Sequence, residues 1–452
     1  MKTKSDFSQG SVPKLIIRLG FPMMLAELVN VLYNVVDRMY IGHIEGEGTL
    51  ALTGLGVCFP LITLIGAFAN LYSTGGNTLA TIARGEGQTD HAVRIQDTSF
   101  TMLLLTGGVL TAALYIFAEP VLRLLGAVDE TLPYALNYFR IYVTGTIPVL
   151  ITLGMNPFIN GQGFPKTGML TVVIGAVMNI ALDPLFIFTF GMGVSGAALA
   201  TVVSQIAGSL WVLSFLRGER AVLRLTKLRV SGAELSGILK LGVTGFTFKV
   251  TNSITQAVVN MVLVRWGGAL SVLYIGAMSL IGSLRETLSL PNNGVTMAGQ
   301  SVMSYNYGAK EYGRVSESIR FMFLGGLCVN VIGWALIMLT PETLIRIFTE
   351  DDELVRMTVR CAKIYFGAFP FMAMQLTGQS TFVALNRPRY ALFFSLLRKI
   401  GLVLPLTLLL PGLGPAADGV FWAEMISQLT GATACFVTMY LAVWRKLGKT
   451  AA

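Results

Sequence analysis

Two acids interrupt stretches that are otherwise apolar: Asp37 in LYNVVDRMYIG and Asp183 in MNIALDPLFIF. A charged aspartate at the centre of a membrane helix costs about 2.5–3.5 kcal/mol even on the mildest insertion scale, so such a group points to a use. Asn179 and Asp183 stand four residues apart and share one helical face. Pro184 has no N–H to offer the carbonyl of Ile180, which frees a further oxygen on nearly the same turn. Thr201, in the next apolar stretch, adds a hydroxyl. Two carboxylates, an amide, a hydroxyl and a carbonyl form an all-oxygen set suited to a hard cation or to protons shared between acids. The same oxygens serve H+ and Na+, with Asp37 and Asp183 as ligands in the sodium case.

Other chemistries lack their apparatus. The chain contains no GxxxxGK[ST], HExxH, GxSxG or CxxC pattern, so no enzyme activity and no cofactor beyond a coupling ion are expected. Cys58, Cys328, Cys361 and Cys435 have no short mutual spacing and read as buried free thiols. His43 and His91 fall near loops on opposite sides of the membrane and cannot pair on a metal.

The elements that must position these oxygens are membrane helices. Of 452 residues, 54% are apolar and only 13% charged, against roughly 25% charged in a soluble domain. Twelve apolar stretches, from Leu15–Ile41 to Val420–Val443, each have about the 20 residues a helix needs to span a bilayer. The fold class expected is an all-α integral membrane protein with two six-helix lobes. The net charge of +9 falls in alternate loops: Lys2, Lys4, Lys14 and Arg18 lead the first span, while Arg84, Arg94, Lys166, the run Arg217–Arg229, Lys310, Arg314, Arg387, Arg389, Arg445, Lys446 and Lys449 follow even-numbered spans. The intervening loops, such as HIEGEGT and GLGPAADG, are poor in Lys and Arg. This pattern predicts cytoplasmic termini in a bacterial-type inner (plasma) membrane. It also makes the basic charge a matter of orientation rather than nucleic-acid binding. No cleavable signal is expected, since the polar start precedes a helix too long and too acidic for a signal core.

The chain is written twice. Adding 223 carries Gly76, Arg123, Asp129, Tyr142, Pro165, Gly196, Ser204 and Gln205 onto identical residue types at Gly299, Arg346, Asp352, Tyr365, Pro388, Gly419, Ser427 and Gln428. Six spans per copy keep both copies in one orientation, so a parallel rather than inverted repeat follows. The expected division is a lobe at 1–217 carrying the cation site, a cytoplasmic linker at 218–237, and a second lobe at 238–452. The acids are not duplicated, because 183 + 223 falls on Leu406.

YNVVDRMYIGH, ARGEGQTDHA and NIALDPLFIFTFGMGVSGAALATVVSQ together resemble the multidrug and toxic compound extrusion (MATE) transporters of the MOP superfamily, most closely the DinF-like and MepA-like branch. The resemblance implies an N-lobe cation site at Asp37, Asn179, Asp183 and Thr201, and adds Asn156 on the fourth span. Another branch holds its acids in the C-lobe, where this chain offers only Gln256, Asn260, Gln375 and Gln379. The implied activity is ion-driven multidrug efflux, exchanging H+ or Na+ for amphipathic, often cationic, organic compounds by alternating access. The chain is expected to act as a monomer among membrane lipids. The substrate chamber is expected to include Tyr33, Met39, Met155, Met178 and Glu27; Glu286, beside Arg285, and Glu424 are lesser candidates. The alternative function is a flippase for a lipid-linked saccharide or other amphipathic lipid. That role calls for central basic residues, and the spans read as nearly free of them apart from Arg38, Lys249 and Arg285.

Overall fold

Apolar stretches of this length leave the backbone one way to satisfy its polar groups in hydrocarbon, hydrogen bonding within a helix. The computed structural model describes residues 6–44, 48–414 and 416–447, and every regular element among them is helical. Lys2, Lys4 and Lys449 of the charge pattern, residues 45–47 of HIEGEGT and Pro415 of GLGPAADG lie outside the described residues.

In chain order the helices of the first copy are α1 (Val12–Gly42), α2 (Gly48–Gly85), α3 (Thr89–Ile116), α4 (Ala118–Leu124), α5 (Leu132–Thr144), α6 (Thr146–Gly161), α7 (Pro165–Pro184) and α8 (Gly193–Arg217). The second copy follows as α9 (Gly232–Gly267), α10 (Ser271–Gly308), α11 (Tyr312–Leu339), α12 (Pro341–Arg346), α13 (Asp352–Tyr365), α14 (Met372–Ala384), α15 (Pro388–Leu396), α16 (Leu404–Leu409) and α17 (Gly419–Met439). Pro165, Pro341 and Pro388 each sit in a first helical turn, where the missing N–H has no partner to lose.

Among the described residues nine helical stretches are long and apolar enough to cross a bilayer, or ten if α5 and α6, bent by 58° at their junction, form one span. One of these, Gly232–Gly308, contains both α9 and α10, parted only by a 3-10 turn at Gly268–Leu270. The stretch expected at Val355–Leu376 is broken by a 3-10 turn, Phe366–Phe371, in which Ala368 leaves helical geometry. That break lies 223 residues after Gly145, where α5 meets α6.

The duplication extends to backbone detail. The bounds of α2 and α3 recur in α10 and α11 at the same offset of 223. Gly87 and Gly163 adopt positive φ (79° and 92°), and Lys310 and Asn386 keep that left-handed conformation (60° and 53°) in the second copy without glycine. Arg123 binds Asp129 at 2.8 Å and Glu119 at 3.2 Å; Arg346 binds Asp352 at 2.8 Å and Glu342 at 2.9 Å in the same arrangement. The hydrogen bond from Arg346 holds the Asp352 carboxyl below its ordinary range.

Packing divides the chain into two compact units. One gathers Leu25–Lys249 with the end of the N-terminal segment at Phe7; the other gathers Ser8–Met24 and the chain from Val250 on. The boundary therefore runs through α1 and α9, at nearly equivalent points of the two copies. In the first unit α9 packs closely on α2: a Cβ added at Gly242 would lie 1.8 Å from Leu71 O, and one at Gly75 would lie 2.1 Å from Ile238 O. The second unit has a matching approach, with the Gly20 Cβ position 2.9 Å from Gly294 O.

The segment between the copies is fastened rather than loose. Gln96 Nε2 donates to Leu223 O (3.1 Å), Leu223 N donates to Gln162 Oε1 (2.9 Å), and Gln162 Nε2 donates to Gln96 Oε1 (3.3 Å). Asp97 accepts from Thr226 N, Thr226 Oγ1 and Lys227 N, and Thr101 Oγ1 accepts from Arg229 N. Side chains on α3 and just past the end of α6 thus satisfy linker backbone groups that a helix or sheet would otherwise pair.

Candidate cation site and its surroundings

Asp183 and Asn179 lie on α7 and are buried, as the four-residue spacing requires for one face turned inward. Asn179 Nδ2 reaches Asp183 Oδ1 at 3.2 Å and Thr201 Oγ1, on α8, at 3.4 Å. Asp37, near the end of α1, is also buried, and its carboxyl is close enough to that of Asp183 for the two to interact electrostatically. The four residues drawn together from sequence thus meet. After Pro184 the chain continues as a π-helical turn, Leu185–Thr189. Such widened turns arise where the regular ladder is interrupted, and they are frequent at functional sites.

The electrostatic character of the cluster follows from what is left unpaired. Asp37 Oδ1, Asn179 Oδ1 and Asp183 Oδ2 are buried without a hydrogen-bond partner, as is Gln205 Oε1 on α8. An orphan acceptor of this kind costs roughly 1–3 kcal/mol. Four orphan oxygens, two of them from carboxyls, suit a proton or a hard monovalent cation.

Two cavities adjoin the cluster, both within the first unit. The larger, about 460 Å3, is lined by Asp37, Tyr33, Asn34, Arg38, Phe59, Tyr138, Tyr142, Thr201 and Gln205 among others. The smaller, about 50 Å3, is lined by Asn30, Tyr33, Thr152, Thr171, Asn179, Ser204 and Gln205, with Gly175 and Ala176 at its wall. Tyr138 and Tyr142 stack with ring centroids 6.0 Å apart. Arg38 turns its guanidinium over the Phe59 ring, 5.7 Å from the centroid, rather than onto Asp37.

Asn156, assigned through the resemblance, is one step removed: its Oδ1 accepts from Thr171 Oγ1 at 3.3 Å, and Thr171 lines the smaller cavity. Of the expected chamber residues, Tyr33 lines both cavities. Met155 is fully buried in the apolar core of the first unit, Met39 is exposed, Met178 and Glu27 are partly buried, and none of these four lines either cavity. Tyr142, Ser204 and Gln205 line these cavities without being expected there, although each stands among the residues that the duplication repeats.

Three expectations need correction. Cys328 is exposed on α11, while the other three thiols are buried. Glu286 is exposed rather than inside the bundle, and Arg285 beside it interacts with Tyr365 and Glu424 as well as with Glu286. The spans are not nearly free of central basic residues: Arg398 and Lys399 stand in the π-helical turn Leu397–Val403 between α15 and α16, both against Glu424. The amides on the helices where another branch carries acids pair with each other, Gln256 with Asn260 (3.1 Å) and Gln375 with Gln379 (3.2 Å).

The sequence model of the MatE family matches residues 22–185 and again 250–409, one match in each copy. The chain belongs to the MatE family. Members of the MatE family are transporters rather than enzymes, and this one is a multi-pass protein of the plasma membrane. It is 24% identical over 442 residues to the multidrug export protein MepA of Staphylococcus aureus, covering 96% of this chain and 95% of MepA. The MepA protein of Staphylococcus saprophyticus is 25% identical over 441 residues, with the same coverage. The fold matches that of a multidrug resistance MATE transporter solved in an outward-facing conformation, with a TM-score of 0.90, 22% identity and 99% of each chain covered.

Proposed function

We propose that this MatE-family transporter is a secondary-active multidrug exporter in which H+ or Na+ binds at Asp37 and Asp183 and drives amphipathic organic compounds outward. The observation that carries the reading is the pair of buried carboxyls beside a cavity of about 460 Å3, with their outer oxygens unpaired. Its staphylococcal relatives bear the name of multidrug export proteins.

In this reading Asn179 holds Asp183 and Thr201 in one arrangement, so a cation entering the cluster meets fixed oxygens instead of reorganising them. Bound cation removes the mutual repulsion of the two carboxylates, and α1 and α7 then settle closer together at Asp37 and Asp183. Tyr33, shared by both cavities, passes that change to the substrate space. The tyrosine rings and Phe59 offer apolar area with polar tips, a lining that accepts varied amphipathic and cationic molecules. Linkage requires that cation binding weaken substrate binding by the same factor by which substrate weakens cation binding. Alternating access of a monomer, with both termini in the cytoplasm, completes the scheme.

The test is uptake of a fluorescent cationic dye into inside-out proteoliposomes under a pH gradient or a sodium gradient, with Asp37→Asn and Asp183→Asn beside the wild type. Uptake driven by one gradient and lost in both variants is expected. Equal uptake with neither gradient imposed, or full uptake in both variants, rules the coupling out.

A further inference from the structure

The 223-residue offset places a second, unassigned cluster at the positions that mirror the cavity walls of the first unit. Thr201 and Gln205 become Glu424 and Gln428; Gly175 and Ala176 become Arg398 and Lys399; Ile62 and Tyr142 become Arg285 and Tyr365. Each of the first-copy residues lines one of the two cavities. In the second copy three of these six positions are basic, and two of the cations, Arg398 and Lys399, pair with the one carboxylate, Glu424, inside the apolar spans.

The contacts are specific. Arg398 donates to Glu424 Oε1 and Lys399 stands 3.6 Å from the same oxygen as an ion pair, and the side chains of all three are nearly buried, at 12%, 8% and 11% exposure. Arg285, half-buried on α10, is close enough for its charge to be felt by Tyr365 and Glu424 as well as by its exposed neighbour Glu286. One carboxylate cannot balance both Arg398 and Lys399 in a medium of low dielectric. Donors remain over as well: Arg398 Nε and Gln428 Nε2 are buried without an acceptor, and Gln428 is only 7% exposed. Glu424, Gln428 and Gly431 fall on one face of α17, and the Arg398 stem lies against the Cβ position of Gly431 at 3.5 Å. The unpaired glutamine amide therefore stands on the face along which Arg398 runs. The first unit leaves acceptors over; this cluster leaves donors over.

We propose that Arg398, Lys399, Arg285 and Gln428 form an anion-recognition site for the carboxylate or phosphate end of an amphipathic molecule, with Glu424 as the internal anion that holds the site in its absence. The site rests on the transporter reading above and names a substrate class for it. Guanidinium and ammonium donors converging from two helices suit such an oxyanion, and charge-assisted hydrogen bonds are the strong ones. A ligand of this kind takes donors from Glu424, so the glutamate sets the affinity by competition. The chemistry is shared by a soluble amphipathic carboxylate and by an anionic lipid headgroup.

The test is equilibrium binding of dansylundecanoic acid and of its methyl ester to the purified full-length protein in phosphatidylcholine nanodiscs, with a cationic dye as a third ligand. It requires neither transport nor an ion gradient, so its failure is separate from failure of the coupling scheme. The wild type should bind the carboxylate about tenfold more tightly than the ester, on the order of 1.4 kcal/mol. Arg398→Gln and Lys399→Gln should abolish that preference and leave the cationic dye unaffected. Glu424→Gln, nearly isosteric, should strengthen carboxylate binding, and it decides the matter even if the arginine variant does not fold. Equal affinity of the folded wild type for acid and ester overturns the proposal, as does weaker carboxylate binding by Glu424→Gln. Replacing part of the phosphatidylcholine with phosphatidylglycerol separates the sources: loss of the preference assigns the site to lipid phosphate, and persistence assigns it to soluble amphiphiles.

Discussion

Replacing Gly242 by alanine would set a Cβ 1.8 Å from the carbonyl oxygen of Leu71 and 2.8 Å from its carbon. Both obstacles are backbone, so no rotamer change relieves them. Ordinary contact lies near about 3.5 Å, and α2 and α9 must part locally by more than about 1.5 Å to restore it. The separation also loosens the neighbouring contacts at Gly75 and Gly245, where added Cβ atoms would lie 2.1 Å from Ile238 O and 2.5 Å from Thr74 Oγ1. Overpacking of this kind costs about 1–3 kcal/mol, and rigid backbone on both sides places Gly242→Ala at the upper end. The control is Gly66→Ala on α2, which has open space around it and should be neutral within about 0.5 kcal/mol. Thermal unfolding in detergent, compared at one scan rate because large proteins unfold irreversibly, should rank Gly242→Ala clearly below both the wild type and the control. A variant that melts at the wild-type temperature, or a control that falls as far, refutes the packing argument.

Asn179→Ala removes the donor to Asp183 and one orphan oxygen, and should weaken sodium binding about tenfold if sodium is the coupling ion, since a hydrogen bond to a charged group is worth about 1.5–3 kcal/mol; calorimetry of the purified protein reads this directly. Asp97→Ala frees Thr226 and Lys227, so trypsin should nick the exposed linker at Arg224, Lys227 or Arg229 about tenfold faster, equivalent to about 1.4 kcal/mol of lost anchoring.

The parts legible in sequence were those in which a single residue violates its surroundings. Asp37 and Asp183 stand out because hydrocarbon makes them expensive, and the four-residue step from Asn179 to Asp183 became the 3.2 Å hydrogen bond found in the structure. The duplication was legible too, because Arg123 with its acids and Arg346 with its acids obey one arithmetic. What escaped was chemistry assembled across helices. Glu424 meets Arg398 and Lys399 from another helix, and no spacing links residues 26 apart. The doublet in LLRKIGL did carry the signal that exposed the aspartates, charge inside an apolar span, and the same reasoning applied there would have found it. Met39 and Met155, expected in the chamber, line neither of the two cavities for another reason. Sequence proximity to an acid does not fix which way a helical side chain turns, and each turn of about 100° per residue sends neighbours to different faces.

The passage of α1 and α9 from one unit into the other bears on how such a chain can be divided or inherited. A gene cut within the linker would yield two polypeptides, each lacking the opening helical segment that its own unit needs and carrying one that belongs to the other. Val12–Met24 would be left without Val250 onward, and Gly232–Lys249 without Leu25–Arg217. Neither fragment could complete its packing alone, so the two copies are no longer interchangeable modules.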